Sequence, residues 1–393
     1  MRVLVINPIT LRYHQLGACE QDRMIHLHDL RRYGHEVIVL TQRGGYQTQA
    51  EVEDYYRQQD FPATIVSPPP RWSQRRLSDP AFLDGASWDY GHDQMIRELK
   101  RLLREFQPDR VWCHASFVWA PAAVAHRMGF KTVIRSVNYE PHQLWYENGR
   151  SAANLVRYLG KVWAERRTLQ YASVCAAITP HEQQIYQRIN PKARVELLPL
   201  RGLSSVIAQA PRHPSNRTPL RVFMMGATYN VLHNLAALRF VVDEILPRAR
   251  STAPGAFEFH ILGSKVPPAI QALAANDLVF DGFVPDLTAH LDTMDIALVP
   301  SLSGAGMQQK VFESLARGFP TLTHQRVLAG YPFENQIHVL TANSADEFVE
   351  QLQRLRDPDL RASLSSQVIQ RSQALFGRDR MDQYLQACLG QAE

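Results

Sequence analysis

Cysteine is scarce in these 393 residues: Cys19, Cys113, Cys175 and Cys388 stand far apart, with no C-x-x-C spacing. That pattern excludes a disulfide scaffold and the common thiolate metal motifs, and the four read as reduced, buried thiols of a cytosolic protein. Nowhere do eighteen apolar residues run together, so the sequence reads as soluble or peripheral to a membrane and not as spanning one. The apolar core of the N-terminal MRVLVINPIT is too short for a signal peptide and reads as a first buried strand. Like charges never run to five and no nucleic-acid-binding signature is present, which sets nucleic acid aside as a partner. No internal repeat or low-complexity tract occurs.

What is present is ordinary globular material. The 45% hydrophobic and 21% charged content over this length is enough for two domains. A formal net charge of +5, spread over scattered arginines, suits an anionic membrane surface or an anionic acceptor.

The most informative stretch is Ser301 to Thr323, SLSGAGMQQKVFESLARGFPTLT. An apolar run, Ile296 to Val299, precedes it and a second short apolar run closes it, so the order is strand, loop, helix, strand. Ser303, Gly304, Ala305 and Gly306 have little or no side chain, which lets a phosphate approach the N–H groups at the helix start. Lys310 and Glu313 project from one helical face, while Val311, Phe312, Leu315 and Ala316 form the buried one. One reading puts the Lys310 ammonium on a diphosphate and the Glu313 carboxylate on the hydroxyls of a ribose. The other is an i, i+3 ion pair between the two on a solvated helix.

The rest of the chain reads as two strand-and-helix series. Val3 to Ile6, a helix ended by Gly34 and the strand Glu36 to Leu40 form a doubly wound unit, whose ligands sit beyond the carboxyl ends of the strands. The loop Pro8 to Gly17, with Arg12 and His14, is thus aimed at a cleft. Residues 44–90 give little regular signal and read as a long, partly irregular excursion. A helix Asp93 to Phe106 leads to a strand with His114 at its carboxyl end, and the strand Lys131 to Arg135 feeds Asn138, Glu140 and His142 to the same edge. The helix from about Ser151 to Tyr171 is basic and could rest on a membrane surface. Periodicity is lost over 201–219, read as a linker, and a second series starts at Leu220.

On these motifs residues 220–375 resemble the donor-binding half of a GT-B glycosyltransferase of the retaining family 4, the group 1 glycosyltransferases. The matching positions are Gly304, Gly306, Lys310, Glu313, Gly318 and Pro320. The more widespread motif has an earlier glutamate where this chain has Ala305, and in the family that glutamate contacts the transferred sugar. The resemblance extends to Gly226 and Asn234 in the first donor-domain unit, to His114 five residues after Asp109, and to Asn138 and Glu140. It implies two Rossmann-like domains facing across a cleft: 1–200 on the acceptor side, 220–375 for the nucleotide sugar, and 376–393 as a helix returning to the first domain.

The resemblance further implies Lys310 and Glu313 on the nucleotide, with His114 beside the transferred sugar as the third catalytic residue. Gly17, Gly226, Asn234, Lys265, Phe283, Val284, Ser303, Gly304, Ala305, Gly306 and Met307 become donor-binding positions, with Phe283 and Val284 at the base. Arg12, His14, Asn138, Glu140 and His142 fall to the acceptor side. The implied reaction moves a sugar from a UDP-, GDP- or dTDP-linked donor to a carbohydrate or lipid-linked acceptor hydroxyl, with retention. No cofactor or metal is expected, in keeping with the lack of a D-x-D pair at a strand end. Two alternatives stay open: a non-hydrolysing nucleotide-sugar epimerase, and a non-catalytic protein of the same fold that binds a nucleotide sugar or a partner.

Overall fold

Apolar, β-branched runs of two to nine residues alternate with helices along the described residues, and they assemble into two parallel sheets. The computed structural model describes residues 1–7, 18–44, 47–68, 90–116 and 118–390. Arg12, His14 and Gly17 therefore lie outside the described residues. Contacts divide the chain into one unit of Met1–Gly202 plus the chain from Asp382 on, and a second of Leu203–Met381.

In the first unit the strands are β1 (Arg2–Asn7), β2 (Glu36–Gln42), β3 (Ala63–Val66), β4 (Arg110–His114), β5 (Thr132–Arg135), β6 (Val174–Ala177) and β7 (Val195–Leu197). Their spatial order is β3-β2-β1-β4-β5-β6-β7. Val3, Leu4, Val5 and Ile6 are fully buried, as expected of a parallel strand covered by helices on both faces. The strand order reverses between β1 and β4, and in doubly wound sheets ligands sit beyond the carboxyl ends of the strands at such a reversal. His114 ends β4, in register with Arg135 at the end of β5.

The second unit contains β8 (Leu220–Thr228), β9 (Phe257–Ser264), β10 (Leu278–Gly282), β11 (Ile296–Val299), β12 (Thr321–Thr323) and β13 (Leu340–Thr341). The order is β10-β9-β8-β11-β12-β13, so the reversal falls between β8 and β11. Phe223, Leu262, Leu291, Met294 and Phe319 pack one face of this sheet, and Leu238, Val241, Phe259, Leu298 and Phe348 lie in the larger core cluster.

Three regions depart from the sequence reading. Residues 44–90 contain a helix, Gln49–Gln58, and the edge strand β3. The helix starts with a capping box in which Thr48 Oγ1 accepts from Glu51 N and Glu51 accepts from Thr48 N, a T-x-x-E signature present in the sequence. The stretch 201–219 is divided between the units, with 203–219 in the second. There Ala208 N donates to Ala316 O at 2.9 Å and Arg212 N to Ser365 Oγ at 2.8 Å. After β6 the first sheet gains a helix, Pro180–Ile189, and the strand β7.

The last helix, Arg378–Leu389, carries the chain back to the first unit. There Arg32 Nη2 donates to Asp382 Oδ1 at 2.9 Å, and Arg110 Nε to Leu389 O at 3.0 Å. Among the described residues no helix is long and apolar enough to cross a membrane.

Candidate active site

At the reversal point of the second sheet, Lys310 and Asn234 meet. Lys310 stands in the first turn of the Gln309–Ala316 helix after β11, and Asn234 in the first turn of the Leu232–Arg239 helix after β8. Lys310 Nζ donates to Asn234 Oδ1 at 3.0 Å, and Asn234 Nδ2 donates to Thr228 O at 2.9 Å. The asparagine thus has its orientation set from β8, with its carbonyl oxygen turned to the ammonium. Burial lowers the Lys310 pKa from 10.5 to about 8, and among the described residues no carboxylate pairs with it. A desolvated cation held by one neutral acceptor has unused capacity for an anion.

The loop before Lys310 brings residues of little or no side chain to the same helix start. Gly304 and Gly306 have φ values of +109° and +70°, a region that residues with a Cβ rarely enter. Gln308 Nε2 and Arg326 Nη1 donate to the carbonyls of Ser303 and Gly304, at 3.3 and 3.4 Å. Ser303, Ala305 and Gly306 are half-buried and Met307 is buried. Arg326, on the Gln325–Leu328 turn after β12, was missed in the sequence because nothing near it is patterned. The rule that loops at the carboxyl edge share a site is the signal that finds it.

Glu313 differs from the sequence reading. Its Oε1 accepts from Arg317 Nε and Nη2, each at 3.0 Å, and its Oε2 from Gln309 Nε2 at 3.0 Å. The ion pair is therefore i, i+4 with Arg317 and not i, i+3 with Lys310. A Glu placed N-terminal to a cation at i, i+4 is the favourable orientation on a helix, and it leaves Lys310 without a counter-charge among the described residues. Lys265, at φ +58°, is exposed just beyond β9. Gly226 and Gly263 let the ends of β8 and β9 close on the buried Tyr229, whose hydroxyl donates to Leu262 O at 3.1 Å. Beyond β10, Phe283 is 77% exposed while Val284 packs on the core.

The first unit has its own polar cluster at the carboxyl edge. His114 is buried, with its Nε2 unpartnered among the described residues. Its ring meets that of His26 edge-on at 5.1 Å, and His26 lies against Trp112 at 4.1 Å with the rings tilted by 33°. Burial, with the nearby charges of His26, Arg23 and Arg135, pushes the His114 pKa well below 6.5, so the ring is neutral. Arg135, also buried, donates to Asp22 Oδ2 at 2.9 Å and to Pro199 O at 3.1 Å, which anchors the first helix, Ala18–Arg32, to the sheet.

Asn138 donates to Glu140 Oε1 at 3.1 Å, and Lys161 Nζ lies 3.6 Å from Glu140 Oε2. His142 packs edge-on against Tyr139 at 4.9 Å. Behind them lies a buried group absent from the sequence reading. Ser116 Oγ and Tyr186 Oη donate to Glu165 at 2.7 and 3.2 Å, and Tyr139 N donates to Glu182 at 2.8 Å. Burial pushes the Glu165 carboxyl up to about 8 and that of Glu182 up to about 7.

With this geometry in hand, residues 27–201 match the family described as Glycosyl transferase 4-like domain, and residues 219–357 match Glycosyl transferases group 1. No curated protein matches the chain by sequence. The chain is similar in structure to sucrose-phosphate synthase from Thermosynechococcus elongatus, with a TM-score of 0.67 and 14% identity over 98% of this chain and 96% of that one. It is also similar to Anabaena Alr3699/HepE in complex with UDP, with a TM-score of 0.69 and 12% identity over 99% and 100%. For the lipopolysaccharide outer core galactosyltransferase WaaB the values are 0.65 and 14%, over 99% of both chains. At these identities the likeness establishes the shared fold, a pair of Rossmann-like domains of the GT-B type.

Proposed function

Because the chain belongs to the group 1 glycosyltransferases, we propose that it transfers a hexosyl group from a nucleotide sugar to an acceptor hydroxyl, with retention at the anomeric carbon. The observation that carries this reading is Lys310, a half-buried, largely desolvated ammonium whose hydrogen-bond partner among the described residues is the neutral Asn234, at the reversal point of the second sheet beside two left-handed glycines. A diphosphate supplies the charge that this cation lacks. As the glycosidic bond breaks, negative charge grows on the departing diphosphate, and Lys310 and the N–H groups of the Gly304–Gly306 turn stabilise it most at that point. No metal at the diphosphate enters this scheme.

Glu313 takes the ribose hydroxyls, with Arg317 and Gln309 fixing its carboxylate. The exposed Phe283 ring and the backbone of the turn that follows β10 take the base. The neutral His114, whose Nε2 makes no hydrogen bond among the described residues, is assigned to hold the transferred sugar, a positioning role. UDP is the nucleotide favoured here, because the similar HepE structure holds it.

The acceptor is proposed to be lipid-linked, at an anionic membrane surface. Leu155, Val156 and Leu159 of the Ala152–Tyr171 helix are 49%, 68% and 58% exposed on one face. Arg150 and Arg157, both exposed, flank them. Apolar side chains ringed by arginine suit an interface with anionic headgroups.

Thermal-shift titration with UDP, GDP, dTDP and ADP, followed by donor turnover with and without membrane extract, tests the reading. UDP should stabilise the wild type, and turnover should require the extract. Glu313→Ala should raise the donor KM about tenfold with little change in kcat, because its ribose contacts persist from ground to transition state. Absence of stabilisation by any of the four nucleotides refutes donor binding, and nucleotide binding without acceptor-dependent turnover refutes transfer.

A further inference from the structure

A second cluster of ligating side chains stands at the outer edge of the second sheet and shares no residue with the Lys310 cluster. His260 lies in β9, Asp281 near the end of the edge strand β10, and His290 on the short helix Leu287–Leu291. The sequence separations, 21 and nine residues, match no familiar metal motif; the parallel pairing of β9 with β10 and the return of the helix bring the three together. His260 Nδ1 is 3.2 and 3.1 Å from the two Asp281 oxygens, and His290 Nε2 is 3.5 Å from Asp281 Oδ1. One ligand atom from each residue lies within 4.8 Å of both others. Ligands at about 2.0–2.1 Å from a tetrahedral ion are about 3.4 Å from one another, close to the 3.1–3.5 Å between each histidine nitrogen and Asp281.

Hydrogen bonding alone leaves this cluster incompletely satisfied. His290 Nε2 is buried and makes no hydrogen bond among the described residues, so its contact with Asp281 is close without being aimed at the oxygen. A nitrogen whose lone pair points beside a carboxylate oxygen, to a spot both can reach, is arranged to share an ion with it. The other ring nitrogen of His260, which makes no hydrogen bond among the described residues, has a carboxylate beside it, on the side where metal-bound imidazoles commonly carry an outer-shell partner. Its Nε2 lies 3.3 Å from Glu258 Oε1, and Arg221 Nε donates to Glu258 Oε2 at 3.4 Å. The side chains of His260, Asp281 and His290 are 8%, 12% and 26% exposed, which leaves an entry path on the His290 side.

We propose that His260, Asp281 and His290 bind one divalent transition-metal ion, of the zinc class that an imidazole and carboxylate set favours. Water completes the tetrahedron and Glu258 orients His260. The ion clips the edge strand β10 to the Leu287–Leu291 helix, which fixes the start of the turn carrying Phe283.

The test uses the full chain stripped with EDTA, titrated with zinc chloride and desalted, with metal content read by mass spectrometry and Tm by calorimetry. The expected result is one zinc per chain and a higher Tm. Asp281→Asn and His290→Ala should abolish both effects, while Glu258→Gln should keep one zinc at about 10–100-fold weaker affinity. Lack of stoichiometric zinc in the wild type, or undiminished zinc in both ligand variants, overturns the proposal. Should the variants fail to fold, zinc K-edge absorption of the wild type decides: two imidazoles with oxygen support the site, and any other ligand set refutes it.

Discussion

Replacing Lys310 with methionine separates what this side chain costs the fold from what it does for a ligand. Burial draws the ammonium from 10.5 down to about 8. At about 1.4 kcal/mol per pH unit, that corresponds to roughly 3 kcal/mol of destabilisation wherever the folded chain keeps the charge, below about pH 8. Between pH 8 and 10.5 the folded chain has released the proton while the unfolded chain still holds it, so wild-type stability rises with pH across that window. Methionine keeps an unbranched stem without the charge. It loses the bond to Asn234 Oδ1, worth about 1 kcal/mol, while Asn234 keeps its own bond to Thr228 O.

At pH 7 the variant should therefore be more stable than the wild type by roughly 1–2 kcal/mol, a gain that vanishes toward pH 10. The same variant should bind UDP more weakly and lose more in kcat than in KM, because the lost interaction grows as the diphosphate leaves. Urea unfolding at pH 7 and pH 10, with UDP titration of both proteins, measures each quantity. A variant less stable than the wild type at pH 7, or one that binds UDP equally well, would refute the view of Lys310 as a desolvated cation awaiting an anion.

His114→Ala should reduce transfer by roughly 10²-fold, the scale of lost positioning, and leave UDP affinity unchanged; full activity in a turnover assay removes its assigned role. Glu165→Gln probes the buried carboxyl, which burial pushes from 4.5 up to about 8. Over that range the folded chain keeps a proton that the unfolded chain has released, so wild-type stability falls as pH rises, and the Gln variant should gain on it steadily from pH 5 to 8 in denaturant titrations. Parallel stability profiles contradict this. Gly263→Ala should destabilise by more than about 2 kcal/mol, because its Cβ would sit 1.8 Å from Gly226 O at a φ of +132°; an unchanged Tm would show that the β8 and β9 ends can separate at little cost.

Much of the architecture is local and therefore legible in the sequence. Buried parallel strands must be continuous apolar runs, so Val3–Ile6 and Ile296–Val299 are visible without partners. The helix Gln309–Ala316 shows its buried face by spacing, and Gly304 and Gly306 mark the left-handed turn before it. The edge strand β3 escaped notice because it is short and only Val66 of its four residues is buried.

The pairings were decided by the tertiary structure, because each joins side chains from distant segments. Lys310 could have turned to Glu313 on its own helix; the sheet order that sets β8 beside β11 gave it Asn234 instead, 76 residues away. Arg135 finds Asp22 across 113 residues, and Glu165 is enclosed by Ser116 and Tyr186 from two other segments. Spacing along the chain reports what a helix or strand presents. Which desolvated charges gain partners depends on which strand ends become neighbours, and that follows from the winding of the whole sheet.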